Sequence, residues 1–185
     1  MLKKKIRPRI KARIRKNKQV INKKIDRFFD WIKGAELVEL KQCNTEEDPV
    51  RPELDNVFRI SFGRKIYGVK YGREIHAVMC FAYTNQVPKN IDELDKLSHD
   101  AFLQSAQRDQ KVGKIAIAYT VWSKKKGGGK LIVKEVFKKI KKSNHLNRLV
   151  TLSPLTEMAT KFHSKNGAKL LQINESTQNF EYEVM

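Results

Sequence analysis

Apolar and polar positions alternate with two periods along the chain, and the period changes mark its elements. From residue 6 to 32 the apolar residues Ile6, Ile10, Ile14, Ile21, Ile25, Phe28, Phe29 and Ile32 recur every three or four positions, which predicts an amphipathic helix. Pro8 falls early enough to sit in a first turn or an unfolded tail. Residues 35–42 fit a helix end or an edge strand, and the polar, proline-bearing stretch 44–55 reads as a loop. The alternation of Asn56–Phe62 predicts a strand, and Lys65–Val69 a second, with Gly63 and Arg64 at the turn. Glu74–Tyr83 reads as a buried strand. Asn90 with Glu93 three residues on predicts a capped helix to about Ala106.

Lys114–Trp122 is the clearest strand. It enters a basic, glycine-rich turn, residues 123–130, which opens a helix to about Lys142. That helix carries Val133, Val136, Phe137 and Ile140 on one face. Asn147–Ser153 predicts another buried strand, ended by Pro154. Thr156 can cap a short helix to about Asn166, with Gly167 as its left-handed stop. Two closing strands are expected, at about 168–174 and 178–184. The pattern predicts one domain over 34–185, preceded by an arm over 1–33.

Charge changes this picture. The 185 residues hold 39 Lys and Arg against 20 Asp and Glu, a formal net charge of +19. Residues 1–33 contribute nine Lys and five Arg against Asp26 and Asp30, a net of +12, which leaves +7 on the other 152 residues. The arm is therefore a candidate for a polyanionic partner: nucleic acid, ribosome or an anionic surface. The bland alternative is a solvated helix whose apolar stripe docks on the domain. No aromatic residue interleaves the charges before Phe28, which argues against base stacking there. No apolar run approaches the roughly 20 residues needed to span a bilayer, and no secretory leader is evident, so a cytoplasmic setting is expected. Two cysteines, Cys43 and Cys80, and four scattered histidines predict no metal site. Both cysteines read as unreactive small residues and His76 as a core or sheet-face residue. His145 sits near a helix end, and Trp31 and Trp122 read as packing residues.

A strand that runs into glycines and lysines at a helix start can hold a phosphate, because free N–H groups point at the anion. The spacing Lys124-x-x-Gly127-x-Gly129 is neither a P-loop nor a dinucleotide fingerprint. A flexible surface turn is the alternative.

The order strand, [QRK]-x-x-G-x-G turn, helix, strand, short helix resembles the core of the GNAT superfamily of acyl-CoA enzymes. Many members read A-x-x-F-Y-x-x-x-G in the short helix, where this chain has Ala159-Thr-Lys-Phe162-His163-Ser-Lys-Asn-Gly167. The segment 74–184 is similar to the catalytic domain of malonyl-CoA decarboxylases. The matching pieces are Ile75–Thr84 leading to Asn90-Ile91, Tyr119–Ser123, Thr151-Leu-Ser-Pro-Leu155, Phe162-His-Ser-Lys-Asn-Gly-Ala168 and Asn179-Phe-Glu-Tyr182.

The resemblance implies an α/β (α+β) fold with a mixed, mostly antiparallel central sheet flanked by helices, here with a basic N-terminal helical arm. It implies a coenzyme A thioester, malonyl-CoA or acetyl-CoA, as substrate, with no metal. Lys124, Lys125, Lys126, Gly127, Gly128, Gly129 and Lys130 would hold the phosphates, and the backbone of Tyr119 and Thr120 would face the thioester. Ser153 and His163 would be the catalytic pair, His163 as proton donor and Ser153 as relay or malonyl contact, with Thr151 and Asn166 binding substrate. Since His163 lies about seven residues into the helix capped by Thr156, roughly 10 Å along its axis, the pair need not touch without substrate.

Three departures stand out. The decarboxylases carry an all-helical domain where this sequence has the basic arm. Their long insertion between the serine and histidine motifs is missing, and the loop before the last strand is shortened to 175–178. Three readings follow: a malonyl-CoA decarboxylase-like lyase, an acyltransferase acting on an amine of a ribosomal or nucleic-acid-associated target, and a non-catalytic polyanion binder. His163 in place of tyrosine favours the first. For the second, Glu74 and Glu157 are weak candidates for a base.

Overall fold

The computed structural model describes residues 17, 18, 20, 21, 25, 28, 30–108 and 110–183. The chain divides into two units, Met1–Ala35 and Glu36–Met185. In the first, every described residue from 17 to 34 is helical. The Phe28 and Trp31 rings stand 5.8 Å apart, as one helical turn places them. Ile6, Pro8, Ile10, Ile14 and Phe29 lie outside the described residues.

The second unit is built on eight strands: β1 Glu36–Leu40, β2 Lys65–Tyr71, β3 Glu74–Thr84, β4 Ile115–Ser123, β5 Arg148–Thr151, β6 Ser153–Pro154, β7 Ala168–Ile173 and β8 Thr177–Tyr182. They form one sheet in the order β1-β2-β3-β4-β5-β8-β6, with β7 paired to β8. Among the described pairings only β4 and β5 run parallel. The helices are α1 Asn56–Ile60, α2 Ile91–Arg108, α3 Gly128–Lys141 and α4 Glu157–Lys165. Both α2 and α3 pack on β3. One side of the sheet buries Ile66, Cys80, Ala82, Ile117, Val150 and Leu152 in a continuous apolar cluster.

Most strand and helix assignments from the sequence agree with the structure to within two or three residues, and 35–42 resolves as the edge strand β1. The exception is Asn56–Phe62, which is helical. Asp55 caps α1 by accepting a hydrogen bond from Phe58 N at 2.7 Å. A 3-10 turn follows, and Phe62 takes a left-handed φ of 53° beside Gly63 at 73°. The apparent alternation arises because Arg59 turns inward and is fully buried, while Val57 and Ile60 are exposed.

Two irregularities shape the middle of the sheet. A β-bulge in the β3–β4 ladder pairs Cys80 with Thr120 and Phe81 with Ala118, leaving Tyr119 out of register. On the other edge, the β4–β5 ladder ends at Ala118–Thr151, with a last bond from Leu152 N to Ala118 O at 2.9 Å. Beyond that point the two strands separate into a fork.

Candidate active site

The glycine turn is shaped by steric need. Gly127 caps α3 at φ 87°, a conformation that disfavours any side chain. A Cβ on Gly128 would stand 3.0 Å from Ser123 Cβ, and one on Gly129 would stand 3.1 Å from the Phe162 ring. Gly128 N bonds to Lys125 O, and the first full helical bond runs from Leu131 N to Gly127 O. The N–H groups of Gly129 and Lys130 therefore have no acceptor within the helix. Lys126 and Lys130 are exposed; Lys124 pairs with Glu47 at 2.7 Å, and Lys125 Nζ lies 5.3 Å from the Tyr71 ring centroid. These residues fit a phosphate-bearing group: backbone donors, close access and cations converge.

From this turn a cavity of about 260 Å³ runs along the fork to β6 and α4. Ser123 and Gly129 line one end, Ser153, His163 and Tyr182 the other, with an apolar wall that includes Val133 and Leu149 between them. No Asp, Glu, Lys or Arg is among its described lining residues. A larger groove, about 980 Å³ and lined by Lys65, Lys111, Lys138, Lys139 and Lys142, contains none of the residues expected to bind coenzyme A or to act in catalysis.

Ser153 and His163 are in direct contact, which corrects the expected separation. Ser153 Oγ lies 2.8 Å from His163 Nε2, and His163 Nδ1 lies 3.0 Å from Tyr182 Oη. The chain reverses at Pro154–Thr156, where Thr156 N bonds Pro154 O, so α4 folds back beside β6 and distance along its axis does not measure the gap. Gln178 fixes this reversal by donating to Pro154 O at 3.0 Å and Thr156 O at 3.2 Å. Thr156 caps α4, as its sequence position predicts. Ser153 Oγ also donates to Thr151 Oγ1 at 3.1 Å, and that oxygen accepts Phe180 N.

With the serine proton on Thr151, one arrangement satisfies every bond: Tyr182 O–H donates to Nδ1, and Nε2–H donates to Ser153 Oγ. The Phe180 ring is stacked on the imidazole at 5.1 Å and Phe162 meets it edge-on. Burial pushes the His163 pKa down to about 4 and raises the Tyr182 phenol well above its usual value. The imidazole is therefore neutral at pH 7.

The remaining expected site residues divide. Thr151 joins the buried chain. Asn166 does not reach the cavity; it ends α4, with its Nδ2 bonded to Phe162 O at 2.8 Å. Tyr119 and Thr120 line the cavity, but the Tyr119 carbonyl accepts Arg51 Nε at 3.0 Å and Thr120 Oγ1 bonds Asp48. Asp48 forms a buried ion pair with Arg59 at 2.9 Å, and Arg59 Nη1 lies 3.2 Å from Cys80 Sγ and its Cζ 5.5 Å from the Trp122 ring centroid. Cys80 thus has a cation beside it, although burial keeps its thiol protonated.

Sequence reasoning gave no role to Tyr182, although it lies in the closing motif, or to Arg51 and Asp48, which sit in the polar stretch read as a loop. Among the described residues no group of His, Cys, Asp and Glu is gathered to hold a metal, and no helix is long and apolar enough to cross a membrane.

No family model and no curated protein matches the sequence. Solved structures do match. A malonyl-CoA decarboxylase from Agrobacterium vitis superposes with a TM-score of 0.53 at 16% identity, over 71% of this chain and 37% of that one. An acetyltransferase from Bacillus subtilis in complex with CoA gives 0.55 at 12% identity, over 82% and 99%. The GNAT-like decarboxylase GphF in complex with isobutyryl-CoA gives 0.60 at 9% identity, over 81% and 100%. The fold is therefore the GNAT fold, with a malonyl-CoA decarboxylase among its structural neighbours. The chain matches little more than a third of that decarboxylase's length.

Proposed function

We propose that this chain is an acyl-CoA enzyme that converts malonyl-CoA to acetyl-CoA and CO2. The observation that carries the reading is the Ser153–His163–Tyr182 chain at the end of a cavity with no Asp, Glu, Lys or Arg among its described lining residues. A decarboxylase needs no base for an incoming amine. It needs a proton for the carbon that loses CO2, delivered where water is scarce. In the reaction the C–C bond to the carboxylate breaks, CO2 departs, and the electron pair enters the thioester as an enolate. Ser153 O–H then protonates the carbon. His163 Nε2–H passes its proton to Ser153 Oγ, and Tyr182 O–H passes its own to Nδ1, to be replaced from solvent. This relay runs from a neutral imidazole, as a pKa of about 4 requires. The turn at Gly127–Lys130 would hold the pyrophosphate, and the bulged backbone at Tyr119–Thr120 lies along the path to the thioester.

Several neighbours of this fold are acetyltransferases, and one is matched over 99% of its length, which supports N-acyltransfer as the second reading. The test is to incubate the protein with malonyl-CoA and follow acetyl-CoA by mass spectrometry, beside Ser153→Ala and His163→Ala. Expected is turnover by the wild type and a loss of about 10²–10⁴-fold in each variant. Acetyl-CoA bound without malonyl-CoA turnover would favour the transferase. No CoA binding at all would leave a non-catalytic binder.

A further inference from the structure

The groove of about 980 Å³ lies at the far end of β4 from the glycine turn. Ala116 lines it, and Ser123, seven residues further along the strand, lines the cavity that ends at Ser153 and His163. At about 3.3 Å per residue the two sites are roughly 23 Å apart. A second hollow of about 960 Å³ adjoins the groove, and the two share Gln110, Lys111, Ser143, His145 and Leu146.

Charge in this double hollow is one-sided. Seven Lys and Arg line it against one acid, Glu135, among the described lining residues. Glu135 is held by Lys138 at 2.8 Å, and Lys65 is held by Glu39 at 2.7 Å. Arg108, Lys111, Lys114, Lys139 and Lys142 make no ion pair among the described residues. A solvated helix stripe would account for Lys139 and Lys142, at the end of α3, where cations also suit the helix dipole. It does not account for the convergence, because Arg108 comes from the end of α2, and Lys111 and Lys114 from the loop before β4. That loop is fixed at several points. Gln110 N donates to Ser105 O at 2.9 Å, Lys114 N donates to Thr84 O at 3.0 Å, and Asn147 N donates to Lys114 O at 3.1 Å. His145 Nε2 lies 3.2 Å from Val112 O and so ties the loop before β5 to the loop before β4. The cations are therefore gathered on a set backbone, and their mutual repulsion stands until an anion arrives.

We propose that the double hollow is a track for single-stranded nucleic acid. Unpaired cations spread along two connected hollows match an anion of repeated charge rather than a single phosphate. Their concave setting suits a strand and not a planar membrane. The exposed amides of Gln110, Asn144 and Asn147 also line it, and an amide both donates and accepts. Base edges and sugars answer both roles, whereas the carboxylates of an acidic peptide only accept. The inference goes beyond the acyl-CoA reading and does not rest on it; malonyl-CoA turnover, present or absent, leaves it unchanged.

The test measures binding of a fluorescein-labelled, mixed-sequence RNA of about 20 nucleotides to the full chain by anisotropy across a salt series. The triple variant Lys111→Gln, Lys114→Gln, Lys142→Gln is compared with Lys96→Gln, Lys134→Gln, Lys165→Gln, which removes the same charge from exposed lysines outside both hollows. The N-terminal arm is present throughout and cancels. Expected for the first triple is a loss of about 10–100-fold at about 50 mM salt, with the slope of log affinity against log salt shallower by about 2. The second should change affinity by less than about threefold.

Equal losses in the two triples would show bulk charge alone and overturn the proposal, as would no loss in the first triple or no binding by the wild type. Polyglutamate of matched length that displaces the RNA at equal concentration would also overturn it and assign the track to an acidic protein. Unfolding midpoints check that each variant folds. If the first triple does not, Lys111→Gln alone decides, with a slope shallower by about 0.7 expected and an unchanged slope overturning the proposal.

Discussion

His163 ties the candidate chemistry to stability. Its folded pKa of about 4 lies below the ordinary 6.5 because burial disfavours the charged ring. As pH falls below 6.5 the unfolded chain takes up a proton that the folded chain refuses, so the folded state is fully favoured only above that value. Stability is lost on acidification through the window from 6.5 to 4, by about 2 kcal/mol at pH 5 and about 3 kcal/mol at pH 4. Denaturant unfolding at pH 7 and pH 5 should show this slope in the wild type and a flatter one in His163→Gln, whatever the variant loses at pH 7. Ser153 and His163 were legible in the sequence because each sits in a short motif with distinctive neighbours. Tyr182 was not assigned a role, because an aromatic residue on an alternating strand reads as core. Arg51 was hidden by its setting: among prolines and acids a lone arginine looks like a solvated loop residue, and only the fold brings Tyr119 and Leu152 to it.

At the scale of elements, hydrophobic period served well wherever backbone and burial agree. It failed at Asn56–Phe62, where the alternation came from one buried arginine rather than from a pleated face. The cue that could have corrected it was Asp55-Asn56 at the helix start. Glycines show a similar contrast between local pattern and surroundings. Gly72 and Gly113 share nearly the same φ, 63° and 57°, but a Cβ on Gly72 would meet nothing within 4 Å, whereas one on Gly113 would stand 2.5 Å from Thr84 N. Gly72→Ala should therefore cost about 1 kcal/mol. Gly113→Ala should cost about 2–3 kcal/mol or more, because the entry to β4 must shift. Denaturant midpoints of the two variants check the difference. The difference lies in what surrounds each glycine in the fold, not in its local backbone angle.

At the scale of the whole molecule, one cluster links three distant parts of the chain. Asp48 accepts from Arg59 and from Thr120, joining the loop after β1, helix α1 and the middle of β4. Removing one partner leaves a buried charge uncompensated, so Asp48→Asn should destabilise the fold by about 3–5 kcal/mol, read by thermal or denaturant unfolding. Charge also separates the molecule's two parts. Residues 1–33 hold +12 of the formal +19. If they serve a polyanion, a chain lacking them should lose affinity for single-stranded nucleic acid at low salt and show a shallower dependence on salt concentration. Unchanged affinity would assign the arm another role. The arrangement of the fork has a further consequence, for stereochemistry. Ser153 of β6 and His163 of α4 meet at one end of the cavity, with Tyr182 of β8 behind the imidazole, while Arg51 bridges Tyr119 O and Leu152 O between the strands. If the proposed decarboxylation takes place there, the enolate would receive its proton from the Ser153 side alone. In deuterated water a malonyl thioester with a substituent at C2 would then yield one enantiomer of the labelled product.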